Sequence, residues 1–249
     1  MLLENKVAVI YGAGGSIGGA AARAFAREGA KVFLAGRSQG PLDTVAGEIR
    51  AAGGTAETAQ VDALDEQAVD RYVDAVAEKA GGIDISFNLI STGDVHGIPL
   101  AEMSLDDFMR PIVTAMRTQF LTGRAAARHM IKRGSGVILA FGGSGATMPS
   151  IGSTQITFDA IESLRRQWAC ELGPHGIRVV TLKTGGVPES IPETDAARAE
   201  IVAGMQEQTL LKRTATLADV GNVAAFVASD QARTITATEI NISCGAIVD

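Results

Sequence analysis

Short runs of apolar, β-branched residues alternate along the chain with longer runs in which apolar positions recur at helical spacing. The short runs are "VAVIYG" (7–12), "KVFLAG" (31–36), "TAETAQVD" (55–62), "IDISFNLI" (83–90), "GVILAFGG" (136–143), "IRVVTLKT" (177–184) and "EINIS" (239–243). Several are apolar throughout, the pattern of parallel strands covered on both faces. Between them the spacing predicts helices over 17–28, 41–52 and 65–80, stopped by Gly29, Gly53 and the pair Gly81–Gly82. Glycine ends a helix because it enters the left-handed cap without a Cβ penalty.

A longer helix is expected over 104–133. Ser104 and Asp107 stand at capping-box spacing, and Pro111 is expected to kink the helix or mark its first regular turn. Met109, Ile112, Val113, Met116 and Phe120 share one stripe of it. The stretch 153–173 carries Ile156, Ala160, Leu164, Trp168 and Leu172 at i+4 steps, and a last helix is expected over 217–229. Segment 185–213 has no strand pattern, and long insertions of this kind commonly serve as substrate lids. Its rim residues Glu189, Glu193 and Asp195 disfavour an anionic acyl carrier as substrate. No linker or repeat interrupts the alternation. The expected fold is α/β: one doubly wound domain over 1–249, with a parallel sheet of about seven strands and helices on both faces.

Composition narrows the function. With 249 residues the chain buries a sizeable core unaided, and 46 % hydrophobic content against 4 % aromatic makes that core aliphatic. A net charge of −6 without any Lys/Arg-rich run gives nucleic acid little to bind. No uncharged run approaches the roughly 18 residues that a membrane span needs, and no signal-peptide pattern is seen. Two cysteines, Cys170 and Cys244, fit a reducing compartment, so a cytoplasmic location is expected. The histidines His96, His129 and His175 lie on separate elements, without metal-ligand spacing.

The candidate chemistry begins in "VAVIYGAGGSIGGAAARAFAREGA". A glycine-rich turn here joins a strand to a helix. Gly12 permits the tight turn, Gly14 and Gly15 admit a pyrophosphate, and Gly18 lets the helix approach the strand. The amides opening that helix, at Ser16 and Ile17, point at the phosphates. About twenty residues on, an NAD site offers a carboxylate to the ribose. Here Gly36 occupies that place, with Arg37 and Ser38 beside it. A guanidinium suits a 2′-phosphate, which favours NADP(H) over NAD.

The chain resembles the short-chain dehydrogenase/reductase family over its whole length, implying a Rossmann-type fold and an oxidoreductase of a small organic substrate. The family's Thr-Gly-x-x-x-Gly-x-Gly loop is matched by Tyr11-Gly12-Ala13-Gly14-Gly15-Ser16-Ile17-Gly18. The resemblance implies adenine contacts at Asp62 and Ala63, and it matches Asn88 in "NLIS" to the Asn-Asn-Ala-Gly segment. It places "TGGVPES", with Gly185 and Val187, beside the nicotinamide. It also implies a dimer or tetramer, with the helices over 104–133 and 153–173 forming the dimer face.

The family's catalytic residues do not carry over. The proton-donating tyrosine falls on Thr154, the lysine four residues on falls on Phe158, and the supporting asparagine falls on Ala115. The serine falls near Gly143, next to Ser144. The chain's two tyrosines, Tyr11 and Tyr72, lie elsewhere, and no lysine stands between Lys132 and Lys183. A threonine hydroxyl is a far weaker acid than a phenol, and a positioned general acid contributes roughly 10²–10⁴-fold. Ser144, Thr154 and Gln155 are therefore the expected substrate-orienting residues. Asp159 is a minor candidate, Lys183 is expected to point to solvent, and His96 is expected to be a solvated loop residue near the cleft. An oxidoreductase with a non-standard site is one outcome; a nucleotide-binding regulatory protein that has lost turnover is the other.

Overall fold

A computed structural model describes residues 1–142, 147–192, 194 and 198–248. In chain order the elements are β1 (Val7–Tyr11), α1 (Ser16–Arg27), β2 (Lys31–Gly36), α2 (Gln39–Ala51), β3 (Thr55–Gln60), α3 (Glu66–Ala80) and β4 (Ile85–Asn88). They continue with α4 (Leu105–Arg133), β5 (Gly136–Phe141), α5 (Thr154–Leu172), β6 (Ile177–Lys183), α6 (Arg198–Gln208), α7 (Leu217–Ala228) and β7 (Thr238–Asn241). The seven strands form one sheet in the order β3-β2-β1-β4-β5-β6-β7, with neighbouring strands parallel.

Alternation along the strands divides the core. Ala8 and Ile10 of β1 face one side with Phe25 of α1, Leu42 of α2 and Val227 of α7. Val7, Val9 and Tyr11 face the other with Val69 of α3, Leu121 of α4 and Leu172 of α5. Successive strand side chains point to opposite faces, so one short apolar run serves both layers. Phe25 stacks on Phe87 of β4 with ring centroids 6.3 Å apart, pinning α1 beneath the middle of the sheet.

Most strands stop one to three residues short of their apolar runs, because the chain there leaves the ladder and bends into the crevice at the carboxyl edge. Leu89, for example, still donates its amide to Tyr11 O (3.0 Å), but the ladder of β4 ends at Asn88. Helix α6, inside the expected lid segment, has no buried residue, so it leaves no amphipathic trace in the sequence. Helix α4 begins where Ser104 caps it, its Oγ accepting from Asp107 N at 3.1 Å, and it runs on through Pro111. Pro111 thus lies well inside the helix rather than in its first turn.

The two long apolar stripes face the core only in part: Leu172 is buried, and Trp168 and Met116 pack against buried clusters, but much of the rest turns outward. On α4, Met109, Val113 and Phe120 are exposed, while Ala115, Leu121, Thr122 and Ala126 are buried. On α5, Ile156 is exposed, whereas Thr154, Gln155, Thr157, Glu162 and Arg165 are buried. Among the described residues, no helix is long and apolar enough to cross a membrane.

Candidate active site

The sheet order reverses between β1 and β4, and a doubly wound sheet binds ligands in the crevice outside the strand ends at that point. Gly12 has φ +71°, and a Cβ there would lie 2.3 Å from Leu89 O, so the two strand exits touch backbone to backbone. A Cβ on Gly18 would lie 2.2 Å from Gly12 O, which lets α1 start directly behind the turn. The carbonyl of Gly15 accepts from Gly19 N at 2.7 Å, leaving the amides of Ser16, Ile17 and Gly18 as the unpaired first donors of α1. No acidic residue stands in that first turn. Gly14 comes so close to the start of α2 that a Cβ would meet Pro41 Cβ at 2.9 Å, bringing the glycine loop beside the end of β2.

At that end Gly36 closes the strand, and Arg37 and Ser38 are exposed. Ser38 is the N-cap of α2, yet its hydroxyl caps nothing. The Arg37 guanidinium has no hydrogen bond or ion pair among the described residues; only its carbonyl is engaged, by Gln60 Nε2 at 2.8 Å. Asp62 turns its carboxylate back onto Leu64 N (3.0 Å), shaping the exit of β3, and Ala63 is buried beside it. Asn88 is buried: its Nδ2 donates to Thr122 Oγ1 (3.2 Å) and its Oδ1 accepts from Ile90 N (3.0 Å). It therefore ties the β4 exit to α4. Gly185 packs against the C-terminal turn, where a Cβ would meet Ala246 Cβ at 2.6 Å, and Val187 is buried next to it.

These groups fit a dinucleotide. Unpaired helix-start amides, a side-chain-free loop and an uncommitted guanidinium are what a pyrophosphate and an adenosine phosphate require. When bound, such a coenzyme supplies or accepts the hydride.

The other half of the site is built differently. Ser144 lies outside the described residues, as do Gly143, Glu193 and Asp195. Phe158 lies over the end of β5, where a Cβ on Gly142 would meet its ring at 2.9 Å. It packs with Met116 against the buried cluster of Ala115, Ala140 and Ile161. Apolar packing thus surrounds Phe158 and Ala115, where the sequence resemblance puts the family's lysine and asparagine. Tyr11 and Tyr72 meet edge to face at 6.2 Å under the sheet. Burial raises both phenols well above their ordinary range, and neither approaches the crevice as an acid.

Gln155 is buried, and its Nε2 donates to Asp159 Oδ1 (3.1 Å) along the helix. Lys183 does not point to solvent. It is 3 % exposed, and its Nζ lies 2.8 Å from Glu239 Oε2. A second buried ion pair joins Arg165 Nε to Glu162 Oε2 at 2.7 Å. Burial pushes the Glu162 carboxyl up, and a hydrogen bond to Glu239 adds to that. Burial acts the same way on Glu239, but its hydrogen bonds from Lys183 and Glu162 win and hold it below its usual value. Of the two carboxyls, Glu162 is thus the one pushed toward the protonated form. Nothing in the sequence pattern marks Glu162 or Glu239, since their partners come from three different elements.

Thr154 is where the sequence resemblance places the proton donor, and it meets a residue expected in solvent. His96 Nε2 lies 2.9 Å from Thr154 Oγ1, and that hydroxyl lies 2.9 Å from Ile151 O. Among the described residues, no group of three or more His, Cys, Asp or Glu side chains is placed to hold a metal ion.

The family model described as enoyl-(acyl carrier protein) reductase matches residues 12–246. Among curated proteins, the chain is 29 % identical over 245 residues to 2,5-dichloro-2,5-cyclohexadiene-1,4-diol dehydrogenase of Sphingobium indicum, covering 98 % of this chain and 96 % of that one. It is 30 % identical over 256 residues to L-rhamnose 1-dehydrogenase (NAD(P)(+)) of Azotobacter vinelandii, covering 100 % and 99 %. A solved short-chain type dehydrogenase/reductase from Mycobacterium ulcerans superposes with a TM-score of 0.91 at 25 % identity, over 99 % of this chain and 91 % of that one. The chain therefore belongs to the short-chain dehydrogenase/reductase family and is an NAD(P)-dependent oxidoreductase of that class.

Proposed function

We propose that the chain is an NADP(H)-preferring oxidoreductase that acts on a small organic carbonyl, its alcohol, or an activated C=C bond, in a site without the tyrosine–lysine pair. The observation that carries this is the unpaired start of α1 beside the uncommitted Arg37 and Ser38. A nearby carboxylate would repel a 2′-phosphate; Gly36 offers none. That the relatives described above are named dehydrogenases favours alcohol–carbonyl interconversion, and it does not favour a purely regulatory role. Thr154 supports a substrate-side role through its place at the start of α5. Gln155 supports that helix start through its bond to Asp159.

Calorimetry tests the coenzyme. NADPH should bind at least about tenfold more tightly than NADH, a difference of about 1.4 kcal/mol. Equal affinities would refute the preference. Coenzyme absorbance then tests turnover on L-rhamnose, simple secondary alcohols, the matching ketones and enones.

The exposed stripe of Met109, Val113 and Phe120 on α4, with Ile156 on α5, supports a homo-oligomer joined through these helices. Sedimentation should give a dimer or tetramer at micromolar concentration. Both cysteines are free and Cys170 is exposed, which suits the cytoplasm.

A further inference from the structure

We propose that His96, fixed in one tautomer by Thr154, is the residue that exchanges a proton with the substrate oxygen; this rests on the oxidoreductase reading above. A threonine hydroxyl has one hydrogen. Thr154 lies 2.9 Å from Ile151 O, an acceptor only, so its hydrogen goes there. Its lone pair then accepts from His96 Nε2 at 2.9 Å. The imidazole is thereby held with hydrogen on Nε2 and a lone pair on Nδ1. That second nitrogen has no hydrogen-bond partner among the described residues. Thr154 is the positioning residue and His96 the catalytic one.

The backbone holds this pair in place. Gly97 N donates to Ser150 O at 2.8 Å, on the turn that leads into α5. Gly152, at φ +66°, lies so close to Val95 that a Cβ would stand 2.4 Å from Val95 O. Loop residues 95–97 are thus seated on the start of α5, although nearly sixty positions separate them in sequence. Both segments follow strands, β4 and β5, and leave by the same carboxyl edge as the glycine loop.

Among the described residues, the tyrosines, Lys183 and Asp159 are committed elsewhere. The two phenols are buried under the sheet, Lys183 is paired with Glu239, and Asp159 is bonded to Gln155. Imidazole is also the side chain best matched to proton transfer near neutrality.

In the oxidative direction, the Nδ1 lone pair takes the substrate hydroxyl proton. The O–H pair becomes the second bond of the carbonyl, and an oxidised coenzyme, when bound, would accept the C–H pair as hydride. Nδ1 then releases its proton to water, and Nε2 keeps its own throughout. The reductive direction runs the same steps backwards, with an Nδ1 proton placed on the carbonyl oxygen.

Two measurements test this. In long-range ¹H–¹⁵N spectra of the intact chain, His96 should show the Nε2–H tautomer, and Thr154→Val should convert it to a mixture. An Nδ1–H signature in the native chain, or no change in the variant, overturns the tautomer assignment. In kinetics, His96→Gln should lower kcat by about 10²–10⁴-fold. KM and coenzyme affinity should move less than about threefold, which is under 1 kcal/mol. Added imidazole should restore part of the lost rate to His96→Ala. A His96→Gln variant that keeps kcat within that same margin while the native chain turns over overturns His96 alone. Flat calorimetry with both coenzymes, or a native chain that consumes neither on any probe, overturns the oxidoreductase reading itself.

Discussion

The nucleotide side of the crevice and the catalytic side obey opposite rules. From β1 to β3 the helices bury their apolar faces, the loops carry glycine where backbones touch, and the charges stay at the rim. Helix α5 departs from this in part. Helix α5 turns Glu162, Arg165 and Thr157 inward and leaves Ile156 outside. In the first region hydrophobic burial positions a binding surface. In the second, one buried ion pair lies within α5 and another joins β6 to β7, and Phe158 packs with Ala115 in a small apolar cluster.

The contrast is most directly broken at the buried ions. Lys183→Met should strand Glu239 without its cation and cost about 3–5 kcal/mol of stability in urea unfolding, the usual loss when one partner of a buried pair is removed. A change within error would mean that the catalytic side is held by ordinary packing. On the nucleotide side, Arg37→Ala should weaken NADPH by about 1.5–3 kcal/mol, as for a lost charged hydrogen bond. NADH affinity and melting temperature should stay put, because the guanidinium is exposed and uncommitted. Equal weakening of both coenzymes would place Arg37 elsewhere.

A third test uses pH. The folded chain raises the Glu162 carboxyl, so the native state binds a proton that the unfolded chain releases near pH ~4.3. That stabilisation is complete below the unfolded value and is lost as pH rises through the raised one. Glu239, held low, acts in the opposite sense: its stabilisation is present above its unfolded value and is lost as pH falls through its depressed one. Urea midpoints of Glu162→Gln should therefore lack the decline with rising pH expected of the native chain. An unchanged profile would remove the proton from Glu162. The smallest effect tests neither chemistry: Ser104→Ala should cost about 1 kcal/mol through the lost cap of α4, with coenzyme affinity intact.

What could be read from the sequence follows the same division. Strand runs, glycine stops and the glycine-rich turn between β1 and α1 are local signals, and their positions match the structure to within a few residues. The orientation of α4 and α5 was not local. Periodicity identifies an apolar stripe, but it cannot tell whether the core or a second copy of the chain will cover it. Lys183 reads as a strand-end cation because its partner Glu239 sits on the neighbouring strand. His96 reads as a solvated loop residue because Thr154 lies far along the chain. The pairing of each needed the fold.

Gly152 sets a mechanical condition on this entrance. With Val95 O pressed against it and Gly97 N tied to Ser150, residues 95–97 cannot swing away while the first turn of α5 stays wound. Opening the one frays the other. Deuterium should therefore enter at Gly97 N and at Thr157 N, the first amide that α5 bonds back to Ser153, at matched rates, with the loop clocked by the helix.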